Sequence, residues 1–286
     1  DLIGTGVSSG GRRPILLEFN PGVRYALGVD MGSSHISVVA MDLGGAIVAQ
    51  EHHEWDVISD PEGTMELIRR TVRNVTRAAK LDFHDYLGLG FTVPTPLLSE
   101  QENRLMTYYM PAWEGYQPDL LMHQFLDIPV YLENDANAGA IAEKYWGCGR
   151  GYDNLVFIKL GIGVGCGMII NGSLFRGFGG SAGEIGHTTI EPKGRLCRCG
   201  NYGCMESYVG IPGIITGVRE ELQARGLSWP ENTPMTIQNI VAGALNGDGY
   251  SRKVLQNAGN YLGIAVANLV NLVNPGLVVI GGDLVS

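Results

Sequence analysis

Three of the five cysteines of this 286-residue chain lie close together in the stretch CRCGNYGCMES, which begins at Cys197. Cys197, Cys199 and Cys204 provide three thiols, and His187 lies a short distance upstream at the end of GEIGH. Three thiolates and one imidazole are enough for a closed tetrahedral zinc site, in which no coordination position stays open for catalysis. The spacing therefore predicts a structural zinc ion.

The alternative is a set of ordinary loop thiols, with one disulfide between Cys199 and Cys204. A bridge between Cys197 and Cys199 would be strained at their separation, and three thiols leave one unpaired. No signal peptide opens the sequence, so we expect a cytoplasmic protein, and disulfides are rare in that compartment. The other two cysteines, Cys148 and Cys166, lie in Gly-rich apolar segments and are predicted to be core residues.

The elements of the first half begin with three short apolar strands in YALGVDMGSSHISVVAMDLGGAIVAQEH, separated at glycines. Apolar residues near a spacing of 3.6 predict a helix over Pro61–Lys80. YLGLGFTVP predicts the next strand, and a helix around Asp119–Leu126 and the strand IPVYLEN follow. DANAGAIAEKYWG is then predicted to be a helix capped near Asn134 or Asp135.

The second half repeats this alternation. NLVFIKLGIGVGCGMIINGSLF predicts two strands followed by a hairpin turn at Asn171-Gly172. The long apolar run VLQNAGNYLGIAVANLVNLVN predicts a helix, and LVVIGGD predicts the last strand. Strand meanders that alternate with helices, twice, predict an α/β protein of two lobes with a ligand cleft between them. The predicted divisions are a linker over 1–22, an N-terminal lobe over 23–133 and a C-terminal lobe over 134–286.

The composition excludes some classes of function. A net charge of -9 argues against this chain binding a nucleic-acid backbone by itself, because phosphate binding needs a basic face. No uninterrupted apolar stretch of about 18 residues occurs, so no membrane span is expected. A hydrophobic content of 45% is enough to bury two cores.

GEIGH followed by CRCGNYGCMES resembles the signature of the ROK family, whose name joins repressors, open reading frames and kinases. VYLENDANAGA, FGGSAGEIGH and NPGLVVIGGD also resemble segments of that family in the same order, so the likeness extends over most of the chain. The resemblance implies an actin-like (ribonuclease H-like) sugar-kinase fold with a zinc ion near the sugar pocket.

The resemblance also implies which side chains face the sugar. They are Asn134, Asp135, Glu184, His187 and Glu206. His187 would place one ring nitrogen on the metal and donate from the other to a sugar hydroxyl. Carboxylates and amides suit this task because each hydroxyl both donates and accepts hydrogen bonds. The alternatives are a solvated loop face for the two glutamates, and helix capping alone for the asparagine or the aspartate.

In the kinases of this family, an aspartate matching Asp135 is the general base on the sugar hydroxyl that attacks ATP, with Mg²⁺ on the phosphates. The first phosphate loop departs from the kinase pattern. The family typically carries Gly-Gly-Thr-Lys after the first strand, whereas this chain has Gly32 followed by Ser33, Ser34 and His35. The threonine and lysine that would contact phosphate are missing.

The second phosphate loop departs as well. Kinases usually have Gly-Thr-Gly where this chain has Gly161, Ile162 and Gly163. An isoleucine side chain cannot donate a hydrogen bond to a phosphate oxygen. On the sugar side, Tyr109 and Trp113 stand where the family commonly has an asparagine before the tryptophan, and they either stack on the sugar or pack in the core.

The opening segment DLIGTGVSSGGRRPILLEFNPG is polar, Gly/Ser-rich and basic at Arg12 and Arg13, which predicts a linker. Part of it, SSGGRRPILLEFNPG, resembles the connector of the NagC/XylR-type repressors of the family, in which a winged helix-turn-helix lies upstream. We therefore expect a missing N-terminal DNA-reading domain, and further residues beyond the last strand.

Together these features favour the sugar-sensing effector domain of a ROK-type transcriptional repressor. A monosaccharide or amino sugar would shift its equilibrium between states, and thereby the binding of operator DNA by a homodimer or homotetramer. The alternative is an ATP-dependent, glucokinase-like sugar kinase with Asp135 as general base. A third hypothesis is a sugar-binding protein of the same fold without a DNA partner.

Overall fold

The computed structural model describes residues 2–5, 10, 15–98 and 104–285. Arg12 and Arg13 of the predicted linker lie outside these residues. The chain forms two compact units. Unit 1 comprises residues 1–93 and 115–132, and unit 2 comprises residues 94–114 and 133–286. This division assigns residues 94–114 to the second unit, whereas the sequence analysis assigned them to the first lobe.

Unit 1 is built on a five-stranded sheet and a two-stranded one. The strands are β1 (Leu2–Thr5), β2 (Ile15–Leu17), β3 (Tyr25–Met31), β4 (His35–Asp42), β5 (Ile47–Glu54), β6 (Tyr86–Val93) and β7 (Val130–Asn134). The helices are α1 (Pro61–Ala78) and α2 (Pro118–His123). The three-strand meander, the first helix and the strands after it are where the sequence predicted them.

The five-stranded sheet has the order β5-β4-β3-β6-β7, with β3 antiparallel to β4 and parallel to β6. Alternate residues of β3 and β4 are buried, as expected for strands with one face in a core. The apolar stripe of α1 packs on β4 and β5. The antiparallel pair β1-β2 lies within the predicted linker.

Unit 2 contains the second sheet and most of the helices. Its strands are β8 (Leu155–Leu160), β9 (Val164–Ile170), β10 (Ser173–Leu174) and β11 (Leu277–Gly281). Its helices are α3 (Asp135–Tyr145), α4 (Glu206–Val209), α5 (Ile211–Arg225), α6 (Ile237–Leu245) and α7 (Gly249–Val273). The predicted hairpin turn joins β9 to β10, and both of its residues, Asn171 and Gly172, have positive φ.

The sheet of unit 2 has the order β10-β9-β8-β11, and only β11 pairs in parallel with its neighbour among the described strands. Alternation along β8 sends Val156 and Ile158 towards α7 and Leu155 towards α3. Gly167 in β9 lets the first turn of α3 approach closely, since a Cβ there would lie 2.4 Å from the Ala136 carbonyl oxygen. The start of α3 is thereby fixed against the sheet.

Within the described ranges, no helix combines the length and the apolar character needed to cross a membrane.

Candidate functional site

The predicted metal ligands come together in unit 2. The ligand atoms of His187, Cys197, Cys199 and Cys204 all lie within 4.8 Å of one another. His187 Nδ1 is 3.6 Å from the Cys197 Sγ, and the Sγ atoms of Cys199 and Cys204 are also 3.6 Å apart. The histidine and the three cysteines therefore form one cluster, as the spacing predicted.

The dimensions and chemistry of this cluster fit a zinc ion. Zn–S bonds of about 2.3 Å and Zn–N bonds of about 2.0–2.1 Å place tetrahedral donors roughly 3.5–3.8 Å apart. Burial, the hydrogen bond with Cys199 and the nearby Cys197 thiol raise the pKa of the Cys204 thiol to about 12. A bound divalent ion would favour the thiolate form that zinc ligands must adopt.

Two segments carry the cluster. A 3₁₀ turn over Ile185–His187 presents the histidine. The cysteine segment folds back on itself, and the Gly200 amide donates a hydrogen bond to the Cys197 carbonyl. An isolated bridge between Thr189 and Cys204 joins the two segments. The ligands thus come from two short loops, and a shared ion would hold these loops together.

The cysteines outside the cluster differ from each other. Cys166 is buried in β9, as predicted. The prediction for Cys148 is wrong, because this residue is exposed in the turn after α3, where its Sγ lies 3.2 Å from a Glu143 carboxylate oxygen. Gly-rich apolar neighbours in the sequence do not distinguish a cysteine buried inside a strand from one exposed after the end of a helix. None of the five cysteines forms a disulfide, and the predicted alternative of a Cys199–Cys204 bridge does not occur.

Glu184 lies beside the cluster, with a carboxylate oxygen 3.7 Å from His187 Nε2. Gly183 sets its position, because φ is +94° there and a Cβ would lie 2.0 Å from the Cys166 carbonyl oxygen. Burial, followed by repulsion from Glu206 and Asp135, raises the pKa of Glu184 to about 7. Two other predicted sugar-facing carboxylates, Glu206 and Asp135, therefore lie within electrostatic range of Glu184.

Glu206, at the start of α4, has both carboxylate oxygens occupied. Arg198 donates to them from Nε at 2.7 Å and from a terminal nitrogen at 3.0 Å, and the Val164 amide donates at 3.0 Å. Glu206 is only 7% exposed, so it does not form the solvated loop face considered as an alternative. Arg198 was not predicted to be a site residue, although its place in the sequence between two predicted metal ligands was a signal.

Tyr109 covers the histidine of the cluster. Its ring stacks on the His187 ring at 5.3 Å between centroids and 10° between planes, and the Arg198 guanidinium lies 5.0 Å above the tyrosine. Trp113 is completely buried, in agreement with the core alternative. Residues 94–114 therefore belong with unit 2, and Tyr109 shields one face of the predicted metal ligand from water.

Asn134 and Asp135 lie where β7 leads into α3. The Asn134 side chain caps the helix by accepting from the amides of Ala136 and Asn137. Asp135 accepts from the Ala136 amide at 2.7 Å through Oδ1 and from Lys159 Nζ at 2.6 Å through Oδ2. The predicted general base is thus ion-paired, a partner that the sequence analysis did not identify.

Glu133, the residue before Asn134 and Asp135, connects these two residues to the loop that leads to Glu184. Glu133 accepts from the Asn134 amide and the Asn137 side chain, each at 2.9 Å, and forms an ion pair with Arg176. Arg176 lies just before the glycines that precede Glu184. Neither member of this ion pair was singled out from the sequence.

Substitutions of Asn134 separate capping from sugar contact. Asn134→Ala is expected to lower the free energy of unfolding by about 1 kcal/mol, because two helix-terminal amides lose their acceptor. Asn134→Ser keeps a capping oxygen but removes the amide, so stability should be nearly unchanged. A sugar contact at this position predicts at least about tenfold weaker sugar binding in the serine variant. Urea unfolding and calorimetric titration measure the two effects, and equal sugar affinity in wild type and Asn134→Ser would assign this residue to capping alone.

The two predicted phosphate loops belong to different units. In unit 1, Gly32, Ser33 and Ser34 form the turn after β3, and the His35 ring lies so close to Gly32 that a Cβ there would be 2.3 Å from it. His35 Nε2 is 3.0 Å from the Asp30 carboxylate. An imidazole that packs over the turn leaves less room beside it for a phosphate group.

In unit 2, the second loop is a tight turn in which the Gly161 amide donates to the Gly163 carbonyl. A Cβ on Gly163 would lie 2.9 Å from Arg198 and 3.0 Å from Glu206. Ile162 contributes only its backbone and an apolar side chain. The sequence predicts that both loops have lost side chains that donate hydrogen bonds to phosphate, and weak ATP binding therefore stays a prediction.

Solved proteins with the same architecture define the class. A ROK family transcriptional regulator, a homologue of the E. coli MLC protein, matches with a TM-score of 0.77 and 29% identity over 94% of this chain and 67% of its own. A ROK family glucokinase from Streptomyces griseus, solved with glucose and AMPPNP, matches with a TM-score of 0.77 and 26% identity over 91% and 83%. The predicted actin-like sugar-kinase fold is thereby confirmed.

The model of the ROK family matches residues 26–286, and the chain belongs to this family. A xylose repressor of Caldicellulosiruptor bescii is 33% identical over 282 residues, which cover 97% of this chain and 70% of the repressor. The resemblance drawn from the cysteine segment is therefore confirmed over most of the chain.

Proposed function

We propose that this chain is the sugar-sensing effector domain of a ROK-family transcriptional repressor. The observation that carries the proposal is a contrast between two sets of residues. Within unit 2, Glu184 lies beside the metal-type cluster, and Asp135 and Glu206 are both within electrostatic range of it. The second phosphate loop of the same unit has Ile162 where a phosphate-binding hydroxyl would be needed. A site of this kind can bind a sugar without an equivalent site for ATP.

Zinc completes this proposal as a structural ion. Held by His187, Cys197, Cys199 and Cys204, it would fix the loop of Glu184 relative to the segment that leads into Glu206. Prior fixation lowers the entropic cost of ordering these side chains around a monosaccharide. The sugar would then shift the equilibrium towards a state with lower affinity for operator DNA, which a winged helix-turn-helix domain attached through the predicted linker would contact. The similarity to a xylose repressor supports this reading.

Titration calorimetry against a panel of aldoses and N-acetylated amino sugars tests the sensing function. We expect at least one monosaccharide to bind to the metal-loaded protein and to weaken operator binding by the full-length repressor. A chain that binds no sugar of the panel, with zinc present, would contradict the proposal.

A sugar kinase is the second candidate function. Asp135 at the start of α3 and the similarity to a glucokinase solved with glucose and AMPPNP favour it. Against it stands the 2.6 Å ion pair with Lys159, because an ammonium on Oδ2 competes for the lone pairs that would accept the hydroxyl proton.

A coupled ADP-release assay on the full-length protein with ATP and Mg²⁺ decides between the two candidates. We expect no sugar-dependent turnover above background. Turnover that disappears in Asp135→Asn would establish the kinase instead.

A further inference from the structure

The three carboxylates of the predicted sugar site, Asp135, Glu184 and Glu206, have different neighbours. Lys159 pairs with Asp135, and Arg198 pairs with Glu206. Glu184 lies beside His187 instead, with a carboxylate oxygen 3.7 Å from Nε2. The polar residues of this part of unit 2 are therefore arranged with cations placed among the acids.

The Lys159–Asp135 pair is short and partly buried. Nζ lies 2.6 Å from Oδ2, and the two side chains are 23% and 13% exposed. Lys159 extends from β8, and Asp135 begins α3, whose close approach to the sheet is fixed by Gly167. Because both elements are held by packing, the ammonium stays beside the carboxylate. Charges in such surroundings interact more strongly than they do in water.

A ligand that approaches Asp135 therefore meets a carboxylate whose charge is already balanced. A sugar hydroxyl can still donate to such a group. A ligand ammonium gains little from Asp135, because the positive charge of Lys159, 2.6 Å from the carboxylate, offsets the attraction. Arg198 balances the charge of Glu206 in the same way, because its guanidinium donates to both carboxylate oxygens.

We propose that Lys159 is a specificity-determining residue that selects uncharged monosaccharides, including N-acetylated amino sugars, over amino sugars with a free ammonium group. This inference rests on the proposed sensing function and narrows its effector class. Removal of the lysine leaves Asp135 unbalanced beside Glu184 and Glu206, so the site attracts cations.

The test compares D-glucose, N-acetyl-D-glucosamine and D-glucosamine as ligands, at a mildly acidic pH at which the free amine is protonated. We expect wild type to prefer its better neutral ligand to D-glucosamine by at least about tenfold. Lys159→Met should reduce this ratio at least about fivefold, whereas Lys159→Arg, which keeps the charge, should retain it. If Lys159 had only a structural role, Lys159→Met would weaken the binding of all three ligands by the same factor.

Lys144→Met is the matched control, because Lys144 forms a similar 2.8 Å ion pair with Asp153 and is not part of the predicted site. Its ligand ratio should equal that of wild type.

The outcomes separate this inference from the function on which it rests. Neutral sugars that bind with an unchanged ratio in Lys159→Met would overturn the role of Lys159 and leave sugar sensing intact. Wild-type protein that binds none of the panel sugars would overturn both.

Discussion

Cys199→Ser is expected to remove the zinc ion and to destabilise unit 2. The serine hydroxyl is a poor substitute for a thiolate, and a three-donor site holds zinc much more weakly than a closed four-donor site. We expect zinc affinity to fall by on the order of 100-fold or more, because changing groups that only support a ligand already costs about 10–100-fold. Metal analysis and chelator competition measure the loss, starting from about one zinc per wild-type chain.

Loss of the ion should also appear in folding and binding. Binding of a structural ion adds to folding free energy, so the melting temperature of Cys199→Ser should fall and become insensitive to added chelator. Sugar affinity should fall with it, because the segments that carry Glu184 and Glu206 lose their common anchor. Cys148→Ser is the matched control: this exposed thiol lies outside the cluster, and its loss should change neither zinc content nor melting temperature. Full zinc retention in Cys199→Ser would refute the metal site.

Glu206→Ala is expected to cause the second large effect. It leaves the Arg198 guanidinium without its bidentate partner and the buried Val164 amide without an acceptor. An unsatisfied buried polar group costs about 1–3 kcal/mol, so we expect the free energy of unfolding to fall by roughly 2–3 kcal/mol. Sugar binding should be lost as well, because Arg198 then places an unbalanced positive charge beside the site.

Chemical denaturation of two variants tests this prediction. Glu220→Ala removes a carboxylate from another arginine pair, but Glu220 is half exposed, and Arg195 keeps the carbonyls of Ser207 and Gly213 as acceptors. Its loss should cost less than about 1 kcal/mol, as is usual for exposed ion pairs. If Glu206→Ala were no more damaging than Glu220→Ala, the bidentate contact would have no special structural role.

The parts of the fold that the sequence predicted are those set by local patterns. The meander from β3 to β5, the helix α1 and the Asn171-Gly172 turn follow from alternation, helical spacing and turn chemistry. The metal-type cluster was predictable because its ligands lie close together in sequence, with three of them in one loop. Family resemblance then supplied Asn134, Asp135, Glu184 and Glu206, whose roles toward a sugar remain predictions.

The charge partners could not be predicted in the same way. Lys159 lies 24 positions after Asp135, and Arg176 lies 43 positions after Glu133, so both pairs form only when the sheet and α3 have packed. Lys159 in the sequence is an ordinary residue of an apolar strand. The error at Cys148 has a similar origin, since its exposure depends on where α3 ends rather than on its neighbours in sequence.

The assignment of Tyr109 to the second unit has a practical consequence for dissecting the protein. The polypeptide passes from one unit to the other three times, after residues 93, 114 and 132. A fragment that starts at residue 133 would leave the His187 imidazole without the aromatic ring that covers it. No single backbone cleavage releases either unit whole, so protease digestion should yield nicked molecules rather than two autonomous halves.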